Sequence, residues 1–153
     1  MSDIDLAKLY ASLRRHEEER LKPYDDATGR PLNTGDTLKG KLTIGVGRNL
    51  TDRGITMDES MLLMENDVTT AIKELDRAAE TRTWWRTLPE PARRALVEMT
   101  FNLGISRLLG FERMLDALHD HDWVAAREHA LDSKWADQVG ERARTIAAQF
   151  MEA

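Results

Sequence analysis

The sequence predicts an α+β fold, mostly α, in which a small helix-plus-β-hairpin lobe is joined by a long helix to a helical lobe. Three observations carry this. Apolar residues recur at three- and four-residue spacing from Ile4 to Leu13, from Met61 to Leu75 and through much of the chain after Ala92, the period of helices with one buried face. Short β-prone runs bounded by turn residues occur only between Tyr24 and Val46. The length, 153 residues, suits one domain with two lobes. The expected division is a single domain over 1–153, with lobes at about 14–60 and at 1–13 plus 83–153, and a connecting helix at about 57–82.

In chain order, Asp3 or Ser2 offers the short oxygen-bearing side chain of a helix N-cap. Ile4, Leu6, Leu9, Tyr10 and Leu13 then mark a buried stripe on a helix reaching about Leu21. It stops before Pro23, whose ring disfavours helical geometry in the preceding residue. Thr28-Gly29-Arg30-Pro31, Asn33-Thr34-Gly35-Asp36 and Lys39-Gly40-Lys41 are turn chemistry around an antiparallel hairpin too small to stand alone.

Thr56-x-x-Glu59 is a capping box opening the long helix, on which Met61, Leu62, Met64, Val68, Ile72 and Leu75 read as core. A break at Trp84-Trp85 and Leu88-Pro89-Glu90-Pro91 precedes a helix from Ala92 to Leu103, with Gly104 as its stop. Shorter helices follow at about Leu109–His119, at Trp123–Leu131 behind Asp122 as N-cap, and at about Gly140–Met151. The predicted bundle core comprises Leu96, Met99, Phe101, Leu103, Leu115, Leu118, Trp123, Trp135, Ile146 and Phe150.

Composition excludes several functions. Net charge is −5, and it divides as −2 over residues 1–89 and −3 over 90–153. Neither part supplies the positive field that a phosphate backbone requires, so no nucleic-acid partner is expected. No apolar run approaches the roughly 20 residues of a membrane span, and no signal-peptide pattern opens the chain, so cytoplasmic synthesis without membrane insertion is expected. Cysteine is absent, which removes disulfides and thiol nucleophiles. The four histidines, at 16, 119, 121 and 129, lack metal-ligand spacing, so no metal is expected.

The stretch from Arg14 to Gly47 carries the chemistry. Glu17 lies at a helix end, Asp25 and Asp26 lie in the following turn, and Gly45-Val46-Gly47 lets a backbone approach another group closely. Glycosidic cleavage needs a carboxylic acid to protonate the leaving oxygen and a second carboxylate to activate water or attack. A partly buried Glu and a wetter Asp suit that division. The same acids equally suit a solvated face or a cap, and the residues alone leave both readings open.

Arg15-His16-Glu17, then Arg20-Leu21-Lys22-Pro23-Tyr24, then Thr43-Ile44-Gly45-Val46-Gly47 resemble the T-even phage lysozymes, glycoside hydrolase family 24, the muramidases that phages use as endolysins. Phe101-Asn102-Leu103-Gly104, Gly110-Phe111, Ser133-Lys134-Trp135 and Arg142-Ala143 extend the resemblance over nearly the whole chain. It implies a lysozyme-like fold and hydrolysis of the β-1,4 bond between N-acetylmuramic acid and N-acetylglucosamine in peptidoglycan. Glu17 falls on the family's catalytic Glu, Asp26 on its catalytic Asp and Thr43 on its catalytic Thr. The implied design is inverting, with the Glu17 and Asp26 carboxyls about 6.5–9.5 Å apart. The resemblance also implies no cofactor, and action on the wall after a holin opens the inner membrane, with no direct contact between the two; a monomer is expected.

The departures define further expectations. Sixteen residues separate Asp26 from Thr43, against five in the family, which makes Asp36 a rival second carboxylate and Asp25 another. Arg48 replaces the family's usual His, and Asp67 is its expected partner, with solvent exposure of both as the alternative. Glu18-Glu19 add negative charge beside Glu17, and Arg142 resembles the family's Arg that pairs with the catalytic Glu. Phe101 and Asn102 are candidate substrate-binding residues. Core packing is favoured for Phe101, and a helix C-cap competes for Asn102. Core packing is also expected for the four tryptophans, while His16 reads as a neighbour of the acid and His129 as surface or cleft edge.

Overall fold

The computed structural model describes residues 4–153 and is α+β, mostly helical. The chain divides into two compact units, one through Ser60 and the other from Met61 to Ala153. Among the described residues, no helix is long and apolar enough to cross a membrane.

The first unit opens with α1 (Leu6–His16). Its expected caps, Ser2 and Asp3, lie outside the described residues; Asp5 does the capping, its carboxylate accepting the Lys8 N–H at 3.1 Å. The helix ends at His16 rather than near Leu21, because residues 17–19 turn and Arg20 already begins a strand. Its apolar stripe is exposed rather than buried. The reason is local: α1 groups with residues through Ser60, where no described apolar side chain is buried and no core is offered to it.

The strands β1 (Arg20–Asp25), β2 (Leu42–Gly45) and β3 (Arg48–Asn49) form an antiparallel sheet in that order. Tyr24 lies opposite Thr43 and Asp25 opposite Leu42, with a register irregularity between Arg20 and Tyr24. Pro23, which has no N–H to give to a ladder, falls in that interval. Residues 26–41 leave the sheet between β1 and β2 as a long excursion. A short helix, α2 (Leu50–Arg53), follows behind the Asn49 cap.

The long helix α3 (Met57–Arg77) begins with the expected capping box: Glu59 N–H donates to Thr56 Oγ1 at 3.2 Å, and Thr56 N–H donates to Glu59 Oε2 at 2.7 Å. It stops five residues short of Arg82. Only its C-terminal half packs into a core, through Ala71 and Leu75; Met61, Leu62 and Met64 are exposed. The first turns are helical by capping and propensity, without apolar burial.

The rest of the second unit is helical: α4 (Glu90–Leu103), α5 (Ile105–Leu108), α6 (Glu112–His119), α7 (Trp123–Leu131), α8 (Lys134–Val139) and α9 (Glu141–Ala148). Gly104 ends α4 at φ 77°, and Asp122 caps α7 by accepting the Ala125 N–H at 3.0 Å, both as expected. Leu75, Leu96, Met99, Leu118, Ile146 and Phe150 are fully buried in one apolar cluster. Phe101 departs from the predicted core and is 42% exposed.

Candidate active site

Glu17 is the C-cap of α1, its N–H donating to the Leu13 carbonyl at 2.8 Å. Glu18 follows at φ 50°, the left-handed conformation that commonly ends a helix and usually belongs to glycine. Two ion pairs brace this reversal: Arg14 donates to both oxygens of Glu19 at 2.9 and 3.0 Å, and Arg20 meets Glu18 at 3.2 Å. Arg20 also donates to the Gly29 carbonyl at 2.6 Å and stands 4.3 Å from the Tyr24 ring centroid. Relief of the Cβ strain at this φ outweighs one exposed ion pair. Glu18→Gly is therefore expected to stabilise the protein by about 0.5–1 kcal/mol, read by denaturant titration.

Glu17 is exposed rather than partly buried, and its carboxyl rests over Gly47 in the turn between β2 and β3. A Cβ at Gly47 would stand 2.9 Å from Glu17 Oε2, and Gly47 has φ 68°. The glycine is thus required twice, by backbone conformation and by the close approach that the sequence anticipated.

The three aspartates expected to compete for one role have different environments. Asp25 is 2% exposed, and both its oxygens are engaged. Oδ2 accepts the Lys39 N–H at 2.6 Å, while Oδ1 accepts those of Ala27 at 2.9 Å and Gly40 at 3.0 Å. The Lys39 amide, above all, holds this carboxyl below the usual carboxylate range; burial opposes it, and the Ala27 and Gly40 amides add to it. Asp36 is held in a local turn, its Oδ2 accepting the Asn33 N–H at 2.8 Å. Asp26 is exposed, and its Oδ1 accepts one backbone N–H, from Lys41, at 2.6 Å.

The Lys41 peptide groups connect Asp26 to Thr43. The Lys41 carbonyl accepts the Asp26 N–H at 3.1 Å and the Thr43 hydroxyl at 3.1 Å. Thr43 is 4% exposed and sits between Tyr24 and Asn49 in the sheet. With its proton given to that carbonyl, the Thr43 hydroxyl retains acceptor capacity.

Arg48, for which Asp67 was the expected partner, finds one within its own unit. Its guanidinium makes two bonds to Glu59, at 2.6 and 3.1 Å, and a third to the Gly54 carbonyl at 3.3 Å. The capping box explains the choice: the Thr56 amide already fixes the Glu59 carboxylate, ready for the planar guanidinium. The Thr56 amide first, and Arg48 next, lower the Glu59 carboxyl below its ordinary range. Asp67 lines a depression of about 240 Å³ on α3 and α4, with Thr70, Ala71, Glu74, Thr100, Phe101 and Gly104.

In the second unit, the Asn102 side-chain oxygen accepts the Trp135 indole N–H at 2.7 Å. Trp85 and Trp135 are buried, whereas Trp84 and Trp123 are half-buried. His129 lines a larger cavity, about 670 Å³, beside Phe111 and Trp135. Arg142 is exposed on α9 and makes no ion pair among the described residues. His16 is exposed, with Nδ1 3.3 Å from Ser12 Oγ. Asp25, the Lys41 peptide groups, Gly47 and Glu59 complete the set of residues that shape the site. The sequence signals the glycine-rich segment, and it marks Asp25 only as a rival acid; the Lys41 groups act through backbone contacts, and Glu59 has a local explanation as a cap.

The phage lysozyme family matches residues 14–148. The chain is 28% identical over 148 residues to the pre-baseplate central spike protein Gp5 of Enterobacteria phage T4, across 88% of this chain and 26% of that protein. It is 26% identical over 92 residues to probable T4-type lysozyme 1 of Dictyostelium discoideum, across 60% of this chain and 54% of that one. With probable T4-type lysozyme 2 of the same organism, identity is 22% over 171 residues, covering 95% and 94%. The chain therefore spans 26% and 54% of the length of the first two relatives and nearly all of the third. With a family match running from Arg14 to Ala148, the chain belongs to the phage lysozyme family.

Proposed function

We propose that this protein hydrolyses the β-1,4 bond between N-acetylmuramic acid and N-acetylglucosamine in peptidoglycan. Glu17 is the general acid. Asp26 orients or deprotonates the water, and Thr43 helps hold it through its free acceptor capacity. The observation that carries this reading is the Lys41 peptide, which ties an exposed carboxylate to a buried hydroxyl in the unit that also contains Glu17. Membership of the phage lysozyme family supports the substrate class.

Phe101, exposed on α4, and Asn102, whose amide nitrogen is left over after its oxygen binds Trp135, are the proposed sugar contacts. As an endolysin, the protein acts as a monomer on the wall once a holin has opened the inner membrane. An inverting reaction is proposed, which calls for catalytic carboxyls about 6.5–9.5 Å apart.

Digestion of purified peptidoglycan tests the reaction directly. Mass spectrometry is expected to find fragments with a reducing N-acetylmuramic acid end, and early NMR spectra are expected to show the α-anomer. Anhydromuramic ends would make the protein a lytic transglycosylase, and a β-anomer would refute inversion.

A further inference from the structure

We propose that Asp25 is a positioning residue for Asp26, acting through the peptide of Lys41. The proposal rests on the reading of Asp26 as the second catalytic carboxylate.

The first unit has no buried apolar residue among those described; its two buried residues are Asp25 and Thr43, both polar. Its geometry near the site is therefore set by hydrogen bonds. Asp25 makes two of the long-range ones. It ends β1, yet its carboxylate gathers the amides of Lys39 and Gly40, 14 and 15 residues further on, together with that of Ala27. These bonds close the base of the excursion. The next residue after Gly40 is Lys41, whose N–H meets Asp26 Oδ1 and whose carbonyl accepts both the Asp26 N–H and the Thr43 hydroxyl.

Gly40 supports the same closure from the returning limb. A Cβ there would collide with Asp26 Oδ1 and stand 2.6 Å from the Ala27 Cβ and 2.8 Å from the Ala27 nitrogen. The contact needs space rather than an unusual backbone angle. Asp25 and Gly40 thus act on one point, the approach of Lys41 to Asp26. A buried carboxylate that already receives three amides is suited to this work and not to activating water, which distinguishes its role from that of Asp26.

The full chain carrying Asp25→Asn tests the proposal. The amide puts an N–H2 donor where a carboxylate oxygen received an N–H, so at least one backbone amide loses its partner. With the folded fraction verified by circular dichroism, kcat on peptidoglycan is expected to fall about 10- to 100-fold while KM stays within about twofold. The NMR resonance of the Lys41 amide proton is expected to move upfield as its bond to Asp26 lengthens. Gly40→Ala should reproduce both changes, and it decides the matter if Asp25→Asn does not fold.

An unchanged kcat in a folded Asp25→Asn variant, with Asp26→Asn inactive, would overturn the positioning role alone. A lower kcat with an unmoved Lys41 resonance would overturn the route through Lys41. Full activity in Asp26→Asn would instead defeat the assignment on which the proposal stands.

Discussion

Replacing Glu17 by Gln is expected to lower peptidoglycan hydrolysis by about 10²- to 10⁴-fold, the usual contribution of a positioned general acid. Gln keeps the size and the hydrogen-bonding capacity of the side chain but has no acidic proton to donate. Glu17 is exposed and contributes to the helix end through its backbone N–H, so the substitution leaves α1 and its C-cap in place. Thermal unfolding should therefore match the parent while the rate of wall clearing collapses. Unchanged lysis would remove the enzyme assignment from this site and leave a non-catalytic wall-binding or interaction module as the reading.

Asp26→Asn is expected to cost about 10²-fold or more in the same turbidity assay, and Asp36→Asn to cost less than about twofold. The contrast follows from what each carboxylate does. Asn at position 26 can still accept the Lys41 N–H, so the local fold is kept and only the basicity is lost. Asp36 is exposed and serves one turn, bonding to Asn33 three residues away. Full activity of the Asp26 variant together with inactivity of the Asp36 variant would exchange their roles.

The helices from α3 onward were largely legible because their signals are local. Asp122 caps α7, Gly104 stops α4, and the Thr56–Glu59 box opens α3, each within a turn of the helix it controls. The six-residue α8 escaped notice because it is too short to show a period, although Ser133 caps it through the Ala136 N–H at 3.2 Å. Helix α1 was drawn too long because its stop uses Glu18 in a left-handed conformation, and no glycine announced it. Phe101 has the spacing of a core residue, and periodicity does not reveal that its surroundings stay open.

The site divides in the same way. Glu17, Asp26 and Thr43 could be picked out by order and motif, but the geometry around them depends on partners far away in sequence. Asp25 reads as one more acid in a turn until Lys39 and Gly40 are brought beside it. Arg48 meets Glu59 within its own unit, an acid that the sequence explains sufficiently as a capping residue. In the fold, one carboxylate serves both the Thr56 amide and the guanidinium.

The closed base of the 26–41 excursion has a consequence for how this lobe can diversify. Chain closure grows only logarithmically with loop size, so doubling the tip would cost about 0.6 kcal/mol in entropy. Because the ties are made by Ala27, Lys39 and Gly40, material added near Asn33–Asp36 is expected to leave the spacing of the proposed reacting groups untouched. The tip is thus a natural graft point, where a lineage or an engineer can install recognition segments without retuning the chemistry.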